Sequence, residues 1–293
     1  MTCLRTVSIA TLGALCSLSV QAADWQPLLD EELSQWEIYL GYPSTDTEVS
    51  DLKRDEQGEY LEPVGYGRDE WNVFSVSTDS GEPVLRVSGE IYGGIFTRKD
   101  FSNYHLRLQI KWGSQKWQPR KELPLDTGIL YHGQGEHGVD YWRAWPLSQE
   151  FQIVEKGVDG TTGDWWKIAH SQIDIRCETV NEDEPPVYSP TAPLKTFGGH
   201  GSDITCRASE DHEKPSGEWN TLDLITYGDK SLHIVNGEVV MALSGSSFPE
   251  DGEIKPLTEG QIVLQSEAGE AFFRRIDIKS IDGIPEQYQH YFE

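Results

Sequence analysis

Segments in which apolar and polar residues alternate dominate this chain, and they predict β-strands. The clearest one is Tyr104–Trp112, where Leu106, Leu108 and Ile110 take every second position and charged or polar residues take the others. Successive side chains of a strand point to opposite faces, so this segment predicts one face in the core and one polar face. Few segments have helical periodicity, so the pattern predicts an all-β fold.

Further segments with strand character recur along the chain, often next to glycine-containing turns, and they suggest how the strands are arranged. These segments are 128–132, 150–154, 221–227, 231–235, 238–241, 261–265 and 271–278. Asn236-Gly237 is a strong hairpin signal between two of them. Short strands without intervening helices predict a two-sheet antiparallel jelly-roll sandwich. The stretches 41–68 and 178–217 interrupt the rhythm, and we expect them to be long loops that decorate one domain.

The first residues are typical of a secretory signal peptide. Arg5 supplies the positive start, residues 6–20 are uncharged and largely apolar, and Val20-Gln21-Ala22 is a small-x-small cleavage site. We therefore expect cleavage near Ala22, which removes residues 1–22. Residues 23–293 are then expected to form a single β-sandwich domain that is secreted or periplasmic.

The chain is strongly acidic, with 24 Lys and Arg against 49 Asp and Glu and a formal net charge of -25. Repulsion of that sign argues against nucleic acids and anionic membrane surfaces as partners, and it suits a neutral ligand. No stretch after the predicted signal is apolar enough to span a bilayer, so membrane insertion is not expected. We expect the partner to be a small saccharide or glycoside.

Two cysteines, Cys177 and Cys206, remain after the predicted cleavage. An even pair in an oxidising compartment predicts a disulfide, an inference from compartment and number alone. Two unrelated thiols are the alternative.

The densest cluster of chemically capable side chains lies between Asp126 and Trp166. It mixes carboxylates, histidines and amides with tyrosine and tryptophan rings. Carboxylates and amides hydrogen-bond sugar hydroxyls, and ring faces stack on sugar C–H groups, so the mixture predicts a carbohydrate site. A solvated sheet face with aromatic edges is the alternative. The candidates for substrate binding in this cluster are Tyr131, His137, Trp142 and Trp145.

The segment 150–155 resembles the E-x-D-x-x-E strand of laminarinase-type glycosidases, in which two carboxylates act as nucleophile and acid/base. Gln152 replaces the central aspartate here. Residues five apart in a regular strand face opposite sides, so Glu150 and Glu155 would share a face only through a bulge. Retaining glycosidases need their two carboxyls about 5 to 5.5 Å apart. Without a bulge, Glu150 and Gln152 line the polar face and the residues after each of them enter the core.

His132 is the histidine with the most suggestive surroundings. It either shares a face with Leu130 or ends its strand where the loop 133–138 begins. Beside Glu150 and a second histidine, His137, it would serve as a general base or as a metal ligand. His132 and Glu150 are thus the candidates for binding a divalent metal ion, and a structural role is the alternative for the histidine.

A series of short motifs occurs in one order along nearly the whole chain after the predicted signal. The motifs are Trp25–Trp36, Tyr104–Trp112, Thr127–His132, Glu150–Ile153, Glu218–Thr221, Asn236-Gly237, Leu264–Glu267 and Phe273–Ile276. Together they resemble the 3-keto-disaccharide hydrolase domain family, whose members adopt a concanavalin A-like jelly roll. The long stretches 41–68 and 178–217 depart from the family pattern.

The resemblance implies cleavage of the glycosidic bond of 3-keto-glycosides or 3-keto-disaccharides. A ketone at C3 acidifies the C2 proton and places the anomeric oxygen β to the carbonyl, so elimination through an enolate breaks the bond. Water then adds back. This route needs a base at C2, an electrophile at the C3 oxygen and a proton donor to the leaving oxygen.

The resemblance also suggests a role for each candidate. Either His132 or Glu150 is the base, and the other protonates the leaving oxygen. Gln152 stabilises the enolate together with Arg107 or a divalent cation. The rings expected to stack on the sugar are Tyr131, Trp142 and Trp145. The candidates from the motif match near the end of the chain are Gln265 and Glu267.

Two other functions stay open at this point. A non-catalytic, lectin-like protein would use the same aromatic residues without a base. A laminarinase-like enzyme would cleave unoxidised glucan with two carboxylates, and it would require a bulge at Phe151–Val154.

Overall fold

The computed structural model describes residues 24–156 and 160–293, so the predicted signal peptide at 1–22 lies outside the described residues. The described chain forms short and long strands and one 3-10 helix, Glu286–Phe292. The strands are β1 (Gln26–Pro27), β2 (Trp36–Leu40), β3 (Gly65–Tyr66), β4 (Phe74–Asp79), β5 (Glu82–Val87), β6 (Gly93–Thr97), β7 (Tyr104–Lys116), β8 (Asp126–Gln134), β9 (Leu147–Val154), β10 (Trp165–Ile168), β11 (Gln172–Glu178), β12 (Val187–Tyr188), β13 (Leu194–Gly198), β14 (Thr205–Cys206), β15 (Asn220–Tyr227), β16 (Lys230–Val235), β17 (Glu238–Glu250), β18 (Glu253–Pro256), β19 (Gln261–Ser266) and β20 (Gly269–Ser280).

The strands form two antiparallel sheets. The larger sheet has twelve strands in the path β12-β11-β17-β16-β15-β7-β20-β5-β4, with β1, β13 and β18 added at its sides. The smaller sheet has eight strands in the order β14-β10-β9-β8-β19-β6-β2-β3. The predicted all-β jelly-roll sandwich of the concanavalin A type is confirmed.

The core lies between the sheets and follows the predicted alternation. On β7, Leu106, Leu108 and Ile110 are at most 1% exposed and belong to the main apolar cluster. Ile129 of β8 and Phe151 of β9 belong to the same cluster from the smaller sheet. Burial of these side chains supplies the main driving force for closing the sandwich.

The pairing of β8 with β9 decides which side chains leave the core. The register runs without interruption from Asp126↔Val154 to Tyr131↔Gln149, and the irregularity lies beyond it, between Tyr131 and Gln134. There is accordingly no bulge at Phe151–Val154. Glu150 and Gln152 therefore point to the outer face of the smaller sheet, as the regular alternation predicts.

The two interrupting stretches differ from each other. The stretch 41–68 is mainly irregular, although it contains β3 and an isolated bridge between Arg54 and Tyr60. The stretch 178–217 is not only a loop, because β12, β13 and β14 lie within it and extend both sheets. Single-sequence periodicity did not reveal these strands because they are only two to five residues long.

The predicted disulfide between Cys177 and Cys206 is confirmed. It joins β11 of the larger sheet to β14 of the smaller one. The chain-entropy relation gives such a loop a stabilisation of about 3 to 4 kcal/mol. Within 24–156 and 160–293, no helix is long and apolar enough to cross a membrane.

Candidate active site

A pocket of about 460 Å³ opens on the outer face of the smaller sheet, above β8 and β9. Its floor is acidic and its walls are aromatic. The charged and amide residues that line it are Arg120, Asp126, Asp140, Glu150, Gln152, Lys167 and Glu267. The aromatic residues that line it are Tyr141, Trp142, Trp145 and Trp166.

Gly128, at the middle of β8, keeps the floor of the pocket open. A Cβ atom on this residue would lie 2.3 Å from Gln265 Oε1 and 2.7 Å from Glu150 Oε1. Side chains from β9 and β19, the strands on either side of β8, therefore meet above Gly128. Any larger residue would push the Glu150 carboxyl and the Gln265 amide out of place.

Asp126 connects the floor to a neighbouring loop. Its Oδ2 lies 2.6 Å from Nη2 of Arg120, and its Oδ1 accepts a hydrogen bond from Nε2 of Gln152 at 2.6 Å. Arg120 comes from the loop that precedes β8, so the ion pair holds this loop against the sheet. The buried Nε–H of Arg120 has no hydrogen-bond partner among the described residues.

Glu150 and Glu267 are the two carboxyls at the centre of the floor, 3% and 7% exposed. Burial raises the pKa of each well above its usual range, and the nearby charge of Asp126 raises both further. The Gln265 amide lowers the pKa of Glu150, although no contact of either amide atom has hydrogen-bond geometry. Arg120 lowers the pKa of Glu267.

The two carboxyls also influence each other. The charge of Glu150 raises the pKa of Glu267, because two anions close together in a buried site repel. Such a pair releases its protons in two separate steps. Between those steps one carboxyl is ionised and the other protonated, which is the state that an acid and base pair requires.

Asp140 shapes the aromatic wall. Its carboxylate accepts hydrogen bonds from the backbone N–H groups of Trp142 and Trp145, at 2.8 Å each. The Trp145 indole N–H donates to the carbonyl oxygen of Gly93 at 2.8 Å, and its ring stacks on Tyr92 at 5.9 Å between centroids. Trp142 stays 50% exposed and lines the pocket.

The structure brings several of the predicted site residues together. Glu150, Gln152 and Glu267 line the floor, and Trp142 and Trp145 line the wall. Gln265 lies beside Glu150 above Gly128.

His132 lies elsewhere, which corrects the expectation that it stands beside Glu150. Its ring lies 5.1 Å from that of Tyr131 and 6.4 Å from that of Tyr104, which belongs to the opposite sheet. A φ of 58° at the irregularity of β8 turns this residue out of the regular alternation and into the interior. Burial lowers the pKa of His132 to about 3, so the ring is neutral at ordinary pH.

Tyr131 and Arg107 are also outside the pocket. Tyr131 is fully buried between the sheets, where its hydroxyl lies 2.9 Å from Ser231 Oγ. Arg107 lies on the outer face of the larger sheet, and its Nε donates to Asp223 Oδ1 at 2.6 Å. Neither residue can reach a sugar bound above Glu150.

His137 and the two candidate metal ligands are also placed by the structure. The ring of His137 packs 4.3 Å from that of Phe96, and burial lowers its pKa to about 4. Across residues 24–156 and 160–293, no three His, Cys, Asp or Glu side chains are arranged to hold a metal ion. The candidate metal ligands His132 and Glu150 lie apart, because the ring of His132 packs near Tyr104 in the interior and Glu150 lines the pocket on the outer face.

Sequence reasoning missed Arg120 and Asp126 as site residues. Asp126 had a usable signal, because residues two apart in a strand share a face and Asp126 precedes Gly128 by two. Arg120 had no such signal in the sequence, because it reaches the site from a loop.

The matched part of the sequence covers both sheets and the whole pocket. The model of the 3-keto-alpha-glucoside-1,2-lyase-like domain family matches residues 24–279. The chain belongs to this family. The predicted resemblance is thereby confirmed, and this lyase-like domain is a carbohydrate-active one. No curated protein matches the chain.

Two solved structures illustrate folds similar to this one. A candidate glycosyl hydrolase from Parabacteroides distasonis ATCC 8503 is 19% identical, with a TM-score of 0.48 over 88% of this chain and 100% of that one. Domain 4 of AbnA, a GH43 extracellular arabinanase from Geobacillus stearothermophilus, in complex with arabinotriose, is 12% identical, with a TM-score of 0.42 over 93% of this chain and 100% of that one. With TM-scores below 0.5, these similarities carry no argument about the activity of the lyase-like domain.

Proposed function

We propose that this member of the 3-keto-alpha-glucoside-1,2-lyase-like family cleaves the glycosidic bond of 3-keto-glycosides, including 3-keto-disaccharides, by elimination followed by hydration. The observation that carries the proposal is the pair of buried carboxyls, Glu150 and Glu267, on the floor of an aromatic-walled pocket. Their raised pKa values allow one to hold a proton while the other is ionised.

The reaction starts at C2 of the oxidised sugar. A base removes the C2 proton, and the electron pair moves to the C2–C3 bond and leaves negative charge on the C3 oxygen. When the C3 carbonyl re-forms, a C1–C2 double bond replaces the C1–O bond, and the departing oxygen takes a proton. Water then adds its hydroxyl to C1 and its hydrogen to C2, which yields the free 3-keto sugar.

The charges around Glu150 and Glu267 suggest which carboxyl acts as the base and which as the acid. Burial and the negative charge of Asp126 are the largest influences on both carboxyls, and the positive charge of Arg120 favours the ionised form of Glu267. We therefore assign the base at C2 to Glu267, the carboxyl whose ionised form this cation favours. Glu150 keeps its proton and donates it to the leaving oxygen.

Arg120 is the group we assign to the C3 oxygen. It lines the pocket, and its buried Nε–H has no acceptor in the described part of the chain. A positive donor held by the ion pair with Asp126 would stabilise the charge that develops on the enolate oxygen. The amides of Gln152 and Gln265 supply further polar contacts near the same floor.

The proposed location is outside the cytoplasm, in the periplasm or the medium. The disulfide between Cys177 and Cys206 supports it, because such bonds persist in oxidising compartments.

Incubation with matched pairs of 3-keto-α-glucosides and their unoxidised parents in D₂O tests the proposal. We expect release of the leaving group from the keto compounds alone, with deuterium at C2 of the product. Glu150→Gln should abolish release, whereas Glu238→Gln, an exposed control on the hairpin of the larger sheet, should not.

Two results would overturn the proposal. Release from the unoxidised parents would point to direct hydrolysis by two carboxylates. Saturable binding of keto and unoxidised sugars without release from either would point to a carbohydrate-binding protein.

A further inference from the structure

A second cavity, of about 510 Å³, lies next to the pocket and is not used by the proposed chemistry. Trp142 lines both cavities, so they share a wall. Tyr92 also lines the second cavity, and its ring lies 5.9 Å from those of Trp142 and Trp145. A substrate longer than one sugar that extends from the pocket beside Trp142 would meet this cavity next.

The outer wall of the second cavity comes from the stretch 41–68. Tyr42 and the segment 43–46 line it, together with Glu59. Arg143, the residue after Trp142, stacks on the Tyr42 ring at 3.6 Å and donates a hydrogen bond to its hydroxyl. This contact joins the stretch 41–68 to the loop that carries the shared tryptophan.

Hydrogen bonds, some of them buried, hold this stretch in shape. Arg54 donates to the carbonyl oxygens of Thr45 and Thr47 at 2.9 Å each, and its guanidinium lies 4.2 Å from the centre of the Tyr60 ring. The Tyr60 hydroxyl donates to Thr47 at 2.7 Å and accepts from the N–H of Val49 at 2.8 Å. A wall fixed in this way can hold a ligand with little ordering cost.

The charge of the cavity lining is one-sided. Asp46, Glu59 and Glu90 face it together with the rings of Tyr42 and Trp142, and its described lining contains no lysine or arginine. Ring faces stack on pyranose C–H groups, and carboxylates accept hydrogen bonds from sugar hydroxyls. The same carboxylates repel an anion.

We propose that this second cavity binds the leaving group, and that it selects a neutral sugar over an anionic one such as a uronic acid. The inference rests on the proposed function, since it assigns the part of the substrate that departs. It places the selectivity in Tyr42, Asp46 and Glu59, residues of the stretch 41–68.

The contribution of the Tyr42 ring is tested by steady-state kinetics with three 3-keto-glucosides. Their leaving groups are methanol, a neutral hexose and a hexuronic acid. In the wild type, kcat/KM should be highest for the neutral hexose. Tyr42→Ala should lower the ratio of hexose to methyl kcat/KM by about tenfold, the value of one aromatic contact. Tyr42→Phe keeps the ring and should keep the ratio, and Tyr227→Ala is a matched control with a half-exposed ring on β15.

The charge is tested separately with Asp46→Asn combined with Glu59→Gln, both at exposed positions. The uronate-to-hexose ratio of kcat/KM should rise by roughly three- to fivefold, the range of a solvent-exposed ion interaction. An unchanged ratio in this double variant, or an equal loss on methyl and hexose substrates in Tyr42→Ala, would overturn the inference.

Binding of the free sugars separates this inference from the proposed function. If the wild type turns over none of the keto compounds, the proposed function fails. Calorimetry with free glucose and glucuronate then decides on the cavity. Weaker glucose binding in Tyr42→Ala, together with weaker glucuronate than glucose binding in the wild type, would support it, and equal binding in all cases would contradict it.

Discussion

Buried carboxyl groups on the two sheets behave in opposite ways. Asp223 on the larger sheet is 4% exposed, and burial alone would raise its pKa. Hydrogen bonds from His105 and Arg107, each at 2.6 Å, outweigh burial and lower that pKa. Glu150 and Glu267 on the smaller sheet are buried to a similar degree, yet their pKa values are raised.

The pKa values of these carboxyls differ because of the charged groups next to them and not because of how deeply they are buried. Asp223 has two nitrogen partners of its own, whereas Glu150 and Glu267 share their surroundings with Asp126 and with one guanidinium, that of Arg120. A paired carboxylate contributes to stability and holds a fixed charge. A cluster in which carboxyls outnumber the cations beside them costs stability. Its raised pKa values let some of these carboxyls stay protonated, and those protons can be transferred to a substrate.

Neutralising either Glu150 or Glu267 should have the largest effect on catalysis. Glu150→Gln or Glu267→Gln should lower turnover of a 3-keto-glycoside by roughly 10²- to 10⁴-fold, the range for loss of one proton-transfer group. The melting temperature should not fall, because an amide replaces an acid whose burial is unfavourable. Rate assays and thermal unfolding of both variants check this, and a folded variant with full turnover would remove that carboxyl from the mechanism.

Asp223→Asn should have the opposite profile. It removes a charged acceptor, so the free energy of unfolding at neutral pH should fall by roughly 1.5 to 3 kcal/mol while turnover persists. The folded pKa lies below the unfolded value of 3.8, so this contribution is present above pH 3.8 and is lost as pH falls through the folded pKa. Urea unfolding at neutral and acidic pH measures it, and a constant difference between variant and wild type would refute the pairing.

Replacing Arg120, the cation near Glu150 and Glu267, should shift the pH dependence of catalysis. In Arg120→Gln the pKa of Glu267 should rise, because Arg120 is the group that lowers it. A base with a higher pKa needs a higher pH to ionise, so the acidic limb of kcat/KM should shift upward by about one pH unit. Arg107→Gln, which removes a cation from Asp223 instead, is the matched control, and an equal shift in both variants would contradict the assignment.

The smallest expected effect on catalysis concerns Glu213, a buried acid outside the pocket. Burial raises its pKa to about 7 although its Oε1 accepts a hydrogen bond from the Trp112 indole at 2.6 Å. The folded pKa exceeds the unfolded value of 4.5, so its stability contribution is full below pH 4.5 and is lost as pH rises to about 7.

Glu213→Gln keeps an acceptor for Trp112 and removes this titration. Between pH 5 and pH 8 the wild type should lose roughly 5 to 10 °C more of its melting temperature than the variant, the shift for about 2.5 kcal/mol in a domain of this size. Thermal unfolding at the two pH values tests this, and parallel curves would show that Glu213 titrates normally.

Much of the fold follows from local sequence. The alternation of β7 and the hairpin signal at Asn236-Gly237 predicted strands that the structure confirms. The strands between 178 and 217 could not be predicted, because segments of two to five residues carry too little periodicity.

The site was predictable only where strand geometry governs it. Regular alternation placed Glu150 and Gln152 on the pocket face, and the motif match found Glu267. His132 was misplaced because a local irregularity with positive φ cannot be read from one sequence. Arg120 reaches Asp126 from a loop, and such contacts depend on the tertiary fold.

Infrared or ¹³C-carboxyl titration of the pair tests the central claim most directly. Glu213 and Asp164, whose pKa values burial raises to about 7, should also give protonated signals near neutral pH. Besides these, we expect a protonated carboxyl signal that persists to neutral pH in the wild type and disappears in Glu150→Gln, while Asp223 is already ionised near pH 4. Full ionisation of Glu150 and Glu267 by pH 5, alongside Asp223, would contradict the account.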